Sequence, residues 1–82
     1  MLRLKIVSPE RVEFEGEVVS VFVPGSLGNF EILTGHAPII SSLSNGIVSY
    51  VSSGEKHSIN ITGGFVEVQK DNVNLCVELS EE

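Results

Sequence analysis

The side chains best suited to chemistry are His36, His57 and Cys76, with Glu31 a short step ahead of His36. Nucleophilic catalysis needs a Ser, Cys or Thr beside a base, and a group that orients the base. No motif links these residues into such a set. Cys76 falls mid-strand in VNLCVE, where alternation puts it on the face of Asn74 and Glu78 and sends Leu75 and Val77 to the core. That is the setting of a small half-buried side chain, not of an activated thiolate. A metal site asks for several His, Cys or carboxylate ligands at tight spacing, and Glu31 with His36 makes only a pair. Gly25-Ser26-Leu27-Gly28 lacks the Gly-Lys-Ser/Thr and the following helix of a phosphate loop. Asn60-Ile61-Thr62 has the form of a glycosylation acceptor, but inside a strand and with no secretory signal it is a chance match. The expectation is no catalytic residue, no metal ligand and no cofactor.

The two histidines differ in setting. His57 follows a Gly-Glu-Lys turn and is expected as a solvated strand start. His36 lies between Gly35 and Ala37-Pro38, where a ring either caps its loop by hydrogen-bonding backbone or presents itself to a contact. It belongs to the stretch Pro24–Leu43, PGSLGNFEILTGHAPIISSL, which spends more residues on turns than a simple strand connection needs. This stretch is the candidate functional one.

The rest of the chain must position it. Its 82 residues are the length of one domain, with apolar residues at 41% and charged residues at 20%, a globular balance. The net charge of −6 argues against nucleic acid and against adsorption to anionic lipid. One cysteine cannot form an internal disulfide, which suits a reducing compartment. The start, MLRLKIV, is too short and too charged for a signal peptide, and no apolar run approaches a membrane span. The expectation is therefore a chain without direct membrane insertion, facing the cytosol.

Val and Ile dominate, and there is one alanine, Ala37. β-Branched residues lose rotamer freedom in helices and pack well on a pleated surface. Alternation recurs along the chain and helical spacing does not. The pattern predicts strands over Leu2–Val7, Val12–Phe14, Val18–Val23, Asn29–Leu33, Ile39–Leu43, Ile47–Ser52, His57–Thr62, Phe65–Gln69 and Val73–Leu79. Glu15-Gly16-Glu17 reads as a turn, Asn45-Gly46 as a type I′ hairpin, and Gly63-Gly64 as a corner or a close backbone approach. The fold class is all-β: a two-layer antiparallel β-sandwich or flattened barrel of eight to ten short strands. In Val18–Val23, Val19, Val21 and Val23 are expected on one face and Val18 and Phe22 on the other. Ile39 and Ile40 are adjacent, and alternation cannot say which faces out. Such strands imply either complete internal burial or a face reserved for a partner, and the small domain favours a partner.

PGSLGNFEILTGHAPIISSL, followed by GIV, GGFVEV and the VNLCVE strand, resembles the N-terminal domain of the epsilon subunit of F-type ATP synthases. SPE after the first strand fits the same family, and the match runs the whole chain in order as one domain, 1–82. The resemblance implies a non-catalytic rotor subunit at the foot of the central stalk of a proton- or sodium-translocating synthase. It would bind the gamma subunit along one side, rest on the polar loops of the c-ring, and carry torque between them. Its place would be peripheral, on the cytoplasmic face of the bacterial inner membrane. Carried over residue by residue, the match turns His36, Ala37, Pro38, Ile40 and Ser42 toward gamma. It turns Ser26, Leu27, Gly28, Asn29 and Glu31 toward the c-ring.

The chain departs from the family in three places. Asn29 stands where an acid is common and Glu31 where a glycine is. Residues 29 and 31 of a strand share a face about 7 Å apart, so Glu31 is expected to supply the carboxylate that Asn29 lacks. The family also continues into a C-terminal helical hairpin that can restrain ATP hydrolysis. This chain stops at Leu79-Ser80-Glu81-Glu82, which reads as a naturally short form without that restraint. The alternative from another class is a free-standing small-ligand module, which usually offers aromatic platforms in a cleft; here there is no Trp and one Tyr, Tyr50.

Overall fold

The computed structural model describes residues 1–80, and these contain strands and no helix. In chain order they are β1 (Leu2–Val7), β2 (Val12–Val18), β3 (Ser20–Val23), β4 (Phe30–Ile32), β5 (Ile39–Leu43), β6 (Gly46–Ser52), β7 (Glu55–Gln69) and β8 (Asn72–Leu79). Glu81 and Glu82, expected at the end of the sandwich, lie outside the described residues. The strands pair in the order β2-β1-β8-β7-β6-β3-β4, with β5 also on β7, and the sheet does not close on itself.

One long strand turns this sheet into two layers. The first half of β7, Glu55–Ile61, pairs with β6, and the second half, Gly64–Val68, pairs with β5, while β8 lies along it from Ile61 to Gln69. Between the halves the register slips at Ile61/Gly63, a bulge that bends the strand. Gly64 sits at φ 150°, and a Cβ there would collide with the Cys76 carbonyl oxygen. Gly63-Gly64 is therefore both a corner and a close approach, as its sequence suggested. One layer is β2-β1-β8-β7-β5 and the other β7-β6-β3-β4. The molecule measures 31 × 27 × 19 Å, and the short dimension suits two sheets packed about 10 Å apart.

Alternation fills the space between them. Leu2, Leu4 and Ile6 of β1, Val66 and Val68 of β7, and Val73, Leu75 and Val77 of β8 are buried. They meet Val21, Val23, Ile32, Val48 and Tyr50 from the other layer in one cluster, with no buried polar side chain among the described residues. Leu75 and Val77 point inward as the pattern predicted, and Val21 and Val23 share a face as expected, but Val18 is buried with them.

Four features differ from it. Glu15-Gly16-Glu17 is not a turn: β2 runs straight through, and the Phe14 ring lies 3.2 Å from where a Cβ of Gly16 would be, filling the space that a side chain would take. Val18–Val23 is not one strand. Val18 pairs with Leu2 in one layer and Ser20 with Val51 in the other, so the chain changes layers at Val19. That kink breaks the parity and buries Val18 with Val21 and Val23, leaving Val19 outside. Asn45-Gly46 is not a hairpin, because β5 and β6 pair with different halves of β7 and neither residue has positive φ. Gly46 is needed for close approach instead, since a Cβ would come within 2.8 Å of Pro24. The positive-φ pairs lie at Ser53-Gly54 and Lys70-Asp71, the turns into β7 and β8. Finally, β1 and β8 pair in parallel, the one parallel pairing among the described strands.

The undecided pair is settled. Ile39 packs against the core, and Ile40 is 76% exposed. With Val19, Phe22 and Ile47 also exposed, complete internal burial does not account for the two-faced strands.

Candidate functional site

Pro24–Ser44 folds back on itself and makes one side of the molecule. After β3, the Gly28 amide donates to the Gly25 carbonyl at 3.0 Å and closes a turn. Gly25 admits no side chain, because a Cβ would lie 2.6 Å from the Gly28 oxygen and 2.8 Å from the Phe30 ring. This turn docks on the end of β5. Gly25 bridges Leu43, the Ser26 amide donates to the Ser42 carbonyl at 3.0 Å, and the Ser42 hydroxyl donates to that of Ser26 at 2.9 Å. Ser26 and Ser42, expected to serve two different partners, are in contact.

The loop from Leu33 to Pro38 leads into β5. The His36 amide donates to the Leu33 carbonyl at 3.1 Å, with Gly35 at φ 86°, as the third position of a type II turn requires. The His36 ring is half-buried, lies 6.2 Å from the Phe30 ring, and donates from Nδ1 to the Ala37 carbonyl at 2.7 Å. Of its two readings, the capping one is realised. Ala37, Pro38 and Ile40 follow as exposed positions along a free strand edge, and Ser42 is exposed at the end that the turn covers, as are Ser26, Leu27 and Gly28 in the turn itself.

Asn29 and Glu31 open elsewhere, on the outer side of the other layer. Glu31 pairs across from Phe22. Asn29 lines a groove of about 450 Å³ that also holds Phe22, Ile47 and Lys56, and Glu31 lines an adjoining one of about 200 Å³ with Phe22, Ser49 and Lys56. They share a face, as alternation required, and that face is not the one Ile40 occupies. Among the described residues no three His, Cys, Asp or Glu side chains gather where a metal could bind.

The outer face beside β5 holds what the motifs did not reveal. Ser42 lies opposite Phe65, Phe65 opposite Cys76, Cys76 opposite Val7, and Val7 opposite Val12. This row crosses all five strands and is apolar beyond Ser42, with Phe65 49% exposed. It floors a groove of about 510 Å³ between Phe65, Cys76, Val7 and Pro9. Alternation carried the signal: with Val66 and Val68 inward, Phe65 is an aromatic on the polar face of Glu67 and Gln69. A single ring is poor provision for a ligand cleft.

His57 is exposed, as expected, but it stacks on Tyr50 at 5.3 Å, and Tyr50 in turn meets Phe14 at 4.5 Å. Burial raises the Tyr50 pKa above its ordinary value. This stack ties β6 and β7 to β2.

The whole chain, residues 1–82, matches the family model described as "ATP synthase, Delta/Epsilon chain, beta-sandwich domain". The chain belongs to that family. It is 40% identical over 78 residues to the ATP synthase epsilon chain of Leptospira borgpetersenii, covering 94% of this chain and 61% of the relative. It is 38% identical over 81 residues to that of Desulfosudis oleivorans, covering 98% and 61%. The chain thus spans about three fifths of the length of these relatives. In the Euglena gracilis mitochondrial ATP synthase structure, OSCP/F1/c-ring in rotational state 1, one chain superposes with a TM-score of 0.86 at 23% identity, covering 93% of this chain and 49% of that one. A chain of the Tetrahymena thermophila mitochondrial ATP synthase central stalk/c-ring superposes with a TM-score of 0.78 at 14% identity, covering 94% and 63%. At these identities the likeness is one of fold.

Proposed function

We propose that the chain is a non-catalytic rotor subunit of an F-type ATP synthase, with residues 1–82 acting as one domain that couples the central shaft to the ion-driven ring. The observation that carries the reading is Ile40, a large apolar side chain 76% exposed on a free strand edge. That edge continues without a break into the Ser26 turn and onto the row Phe65–Cys76–Val7. An apolar side chain set on an edge in this way is a docking feature. The likeness to ATP synthase epsilon chains, and to a chain of the Tetrahymena ATP synthase central stalk and c-ring, supports this type of assembly.

On this reading gamma covers His36, Ala37, Pro38, Ile40 and Ser42 and extends over Phe65. The c-ring meets Ser26, Leu27 and Gly28 at the turn and Asn29 and Glu31 on the adjoining face. The subunit sits peripherally on the cytoplasmic side of a bacterial inner membrane, held there by its partners, and the coupling ion is a proton or sodium. The gamma interface is of ordinary size, on the order of 1,600 Å² in total. A pull-down with the gamma subunit of the same organism tests this. The parent chain is expected to retain gamma, and His36→Ala, which loosens the loop leading into β5, to weaken retention by about fivefold, roughly 1 kcal/mol. Failure of the parent chain to hold gamma at micromolar concentration overturns the proposal.

A further inference from the structure

The turn between β7 and β8 is built in an unfavourable way for its residues. Lys70 has φ 51° and Asp71 φ 63°, so both central positions are left-handed although neither is glycine. Two-residue hairpins of this kind favour Asn-Gly or Asp-Gly, because a side chain at positive φ is strained. Asp tolerates the region better than most residues, but glycine would suit the second position better still. A side chain kept at such a place calls for a use.

Asp71 has one. Its Oδ1 accepts a 2.8 Å hydrogen bond from the amide of Gly35, thirty-six residues earlier in the chain. Its own carbonyl accepts from the Arg3 amide at 2.9 Å. The turn is thus anchored on β1 through its backbone and reaches across to the Leu33–Pro38 loop through its carboxylate. Gly35 is the residue before His36, and its N–H is the donor that the type II turn does not itself use, since the turn closes through the His36 amide. We propose that Asp71 is a positioning residue for docking: it fixes the loop that sets His36, Ala37 and Pro38 at the head of the β5 edge. This rests on the reading of that edge as the gamma-binding one.

Two variants separate the carboxylate from the turn. Asp71→Gly keeps the left-handed backbone and removes the acceptor. Asp71→Asn keeps both, since its amide oxygen accepts and Asn also adopts positive φ. Amide hydrogen exchange at Gly35, read by NMR in the free subunit, and gamma affinity are measured together. The expected result for Asp71→Gly is about tenfold faster exchange at Gly35 and a several-fold loss of gamma affinity, with melting temperature equal to or above the parent's. Asp71→Asn restores both to within about twofold. Unchanged Gly35 exchange in Asp71→Gly overturns the clamp. Faster exchange with unchanged gamma affinity overturns the positioning role, and Ile40→Asp measured beside it shows whether the docking edge fails as well. If Ile40→Asp also leaves gamma bound, the edge itself is misassigned; if it releases gamma, only Asp71's part in docking is lost.

Discussion

The two outermost strands of the larger layer solve the problem of a free edge in opposite ways. β2 is acidic: Glu13, Glu15 and Glu17 punctuate it, with Arg11 holding Glu13 at 3.3 Å and Arg3 near Glu15 at 3.8 Å. Charges on an edge discourage another chain from adding a strand there. β5 has none. From Ile32 to Gly54 the sequence contains no Asp, Glu, Lys or Arg, and the strand puts Ile40 into solvent. The far end of β5 is covered by the Ser26 turn, which accounts for the backbone of Ser42 but leaves the stretch around Ile40 open. One edge is guarded and the other is left open, and this contrast is the ground on which β5 is proposed as the docking side.

The largest effect that can break this contrast is expected from Ile40→Asp. If the exposed isoleucine is a buried anchor in the assembly, a carboxylate there costs about 2–3 kcal/mol of gamma binding, roughly a hundredfold in dissociation constant. The free subunit should lose no more than about 1 kcal/mol of stability, the span of strand preferences at a solvent-facing site. Its neighbour supplies the control, since Ile39→Asp puts a charge against the core and should unfold the chain. Titration calorimetry with gamma and a thermal melt distinguish the two. An Ile40→Asp subunit that binds normally means the open edge is not the interface.

Much of the fold was legible because a side-chain period of two is a strong signal in a chain so rich in Val and Ile. Leu75 and Val77 point inward as read, and Leu2, Leu4 and Ile6 show the same period of two. What alternation could not show is where one strand leaves a layer for the other. Val19 looks like any strand residue, yet the pairing changes there from β1 to β6, and pairing is a property of distant partners. Asn45-Gly46 misled for the same reason: the dipeptide signals a local hairpin, but its flanking strands found different partners on β7. The Pro24–Leu43 stretch was visible from its turns, and resemblance supplied its candidate residues. Phe65 showed only as an aromatic of outward parity, without the row it joins, and Asp71 did not show at all, because such partnerships arise only when residues far apart in sequence are laid side by side.

A middle-sized effect sharpens the guarded side of the comparison. Glu15→Val with Glu17→Val removes charge from β2 and extends the apolar row that ends at Val12. Sedimentation should then show concentration-dependent self-association, strengthened about tenfold over the parent, while gamma affinity stays within about twofold. A double variant that remains monomeric shows that charge is not what protects this edge. Lost gamma affinity instead places β2 inside the interface and erases the contrast.

The smallest effect concerns the face that neither edge owns. Glu31 is exposed, stands opposite Phe22, and has no ion pair among the described residues. An exposed carboxylate of this kind contributes at most about 0.5 kcal/mol, and salt screens it. Glu31→Gln should therefore weaken assembly with a gamma–c-ring complex by about twofold in dilute buffer, with the difference gone at about 0.5 M salt. Asn29 opens on the same face, as its share in the Phe22 and Lys56 groove shows. Adding Asn29→Asp to Glu31→Gln moves the charge back two residues and should recover the loss. If the double variant stays weak while its salt dependence returns, charge alone is not what the ring reads, and the position of the carboxylate beside Phe22 matters. If Glu31→Gln changes nothing at low salt, the exchange of an acid between these two sites carries no docking energy. The rotor contact would then fall wholly to the uncharged Ser26 turn and the β5 edge.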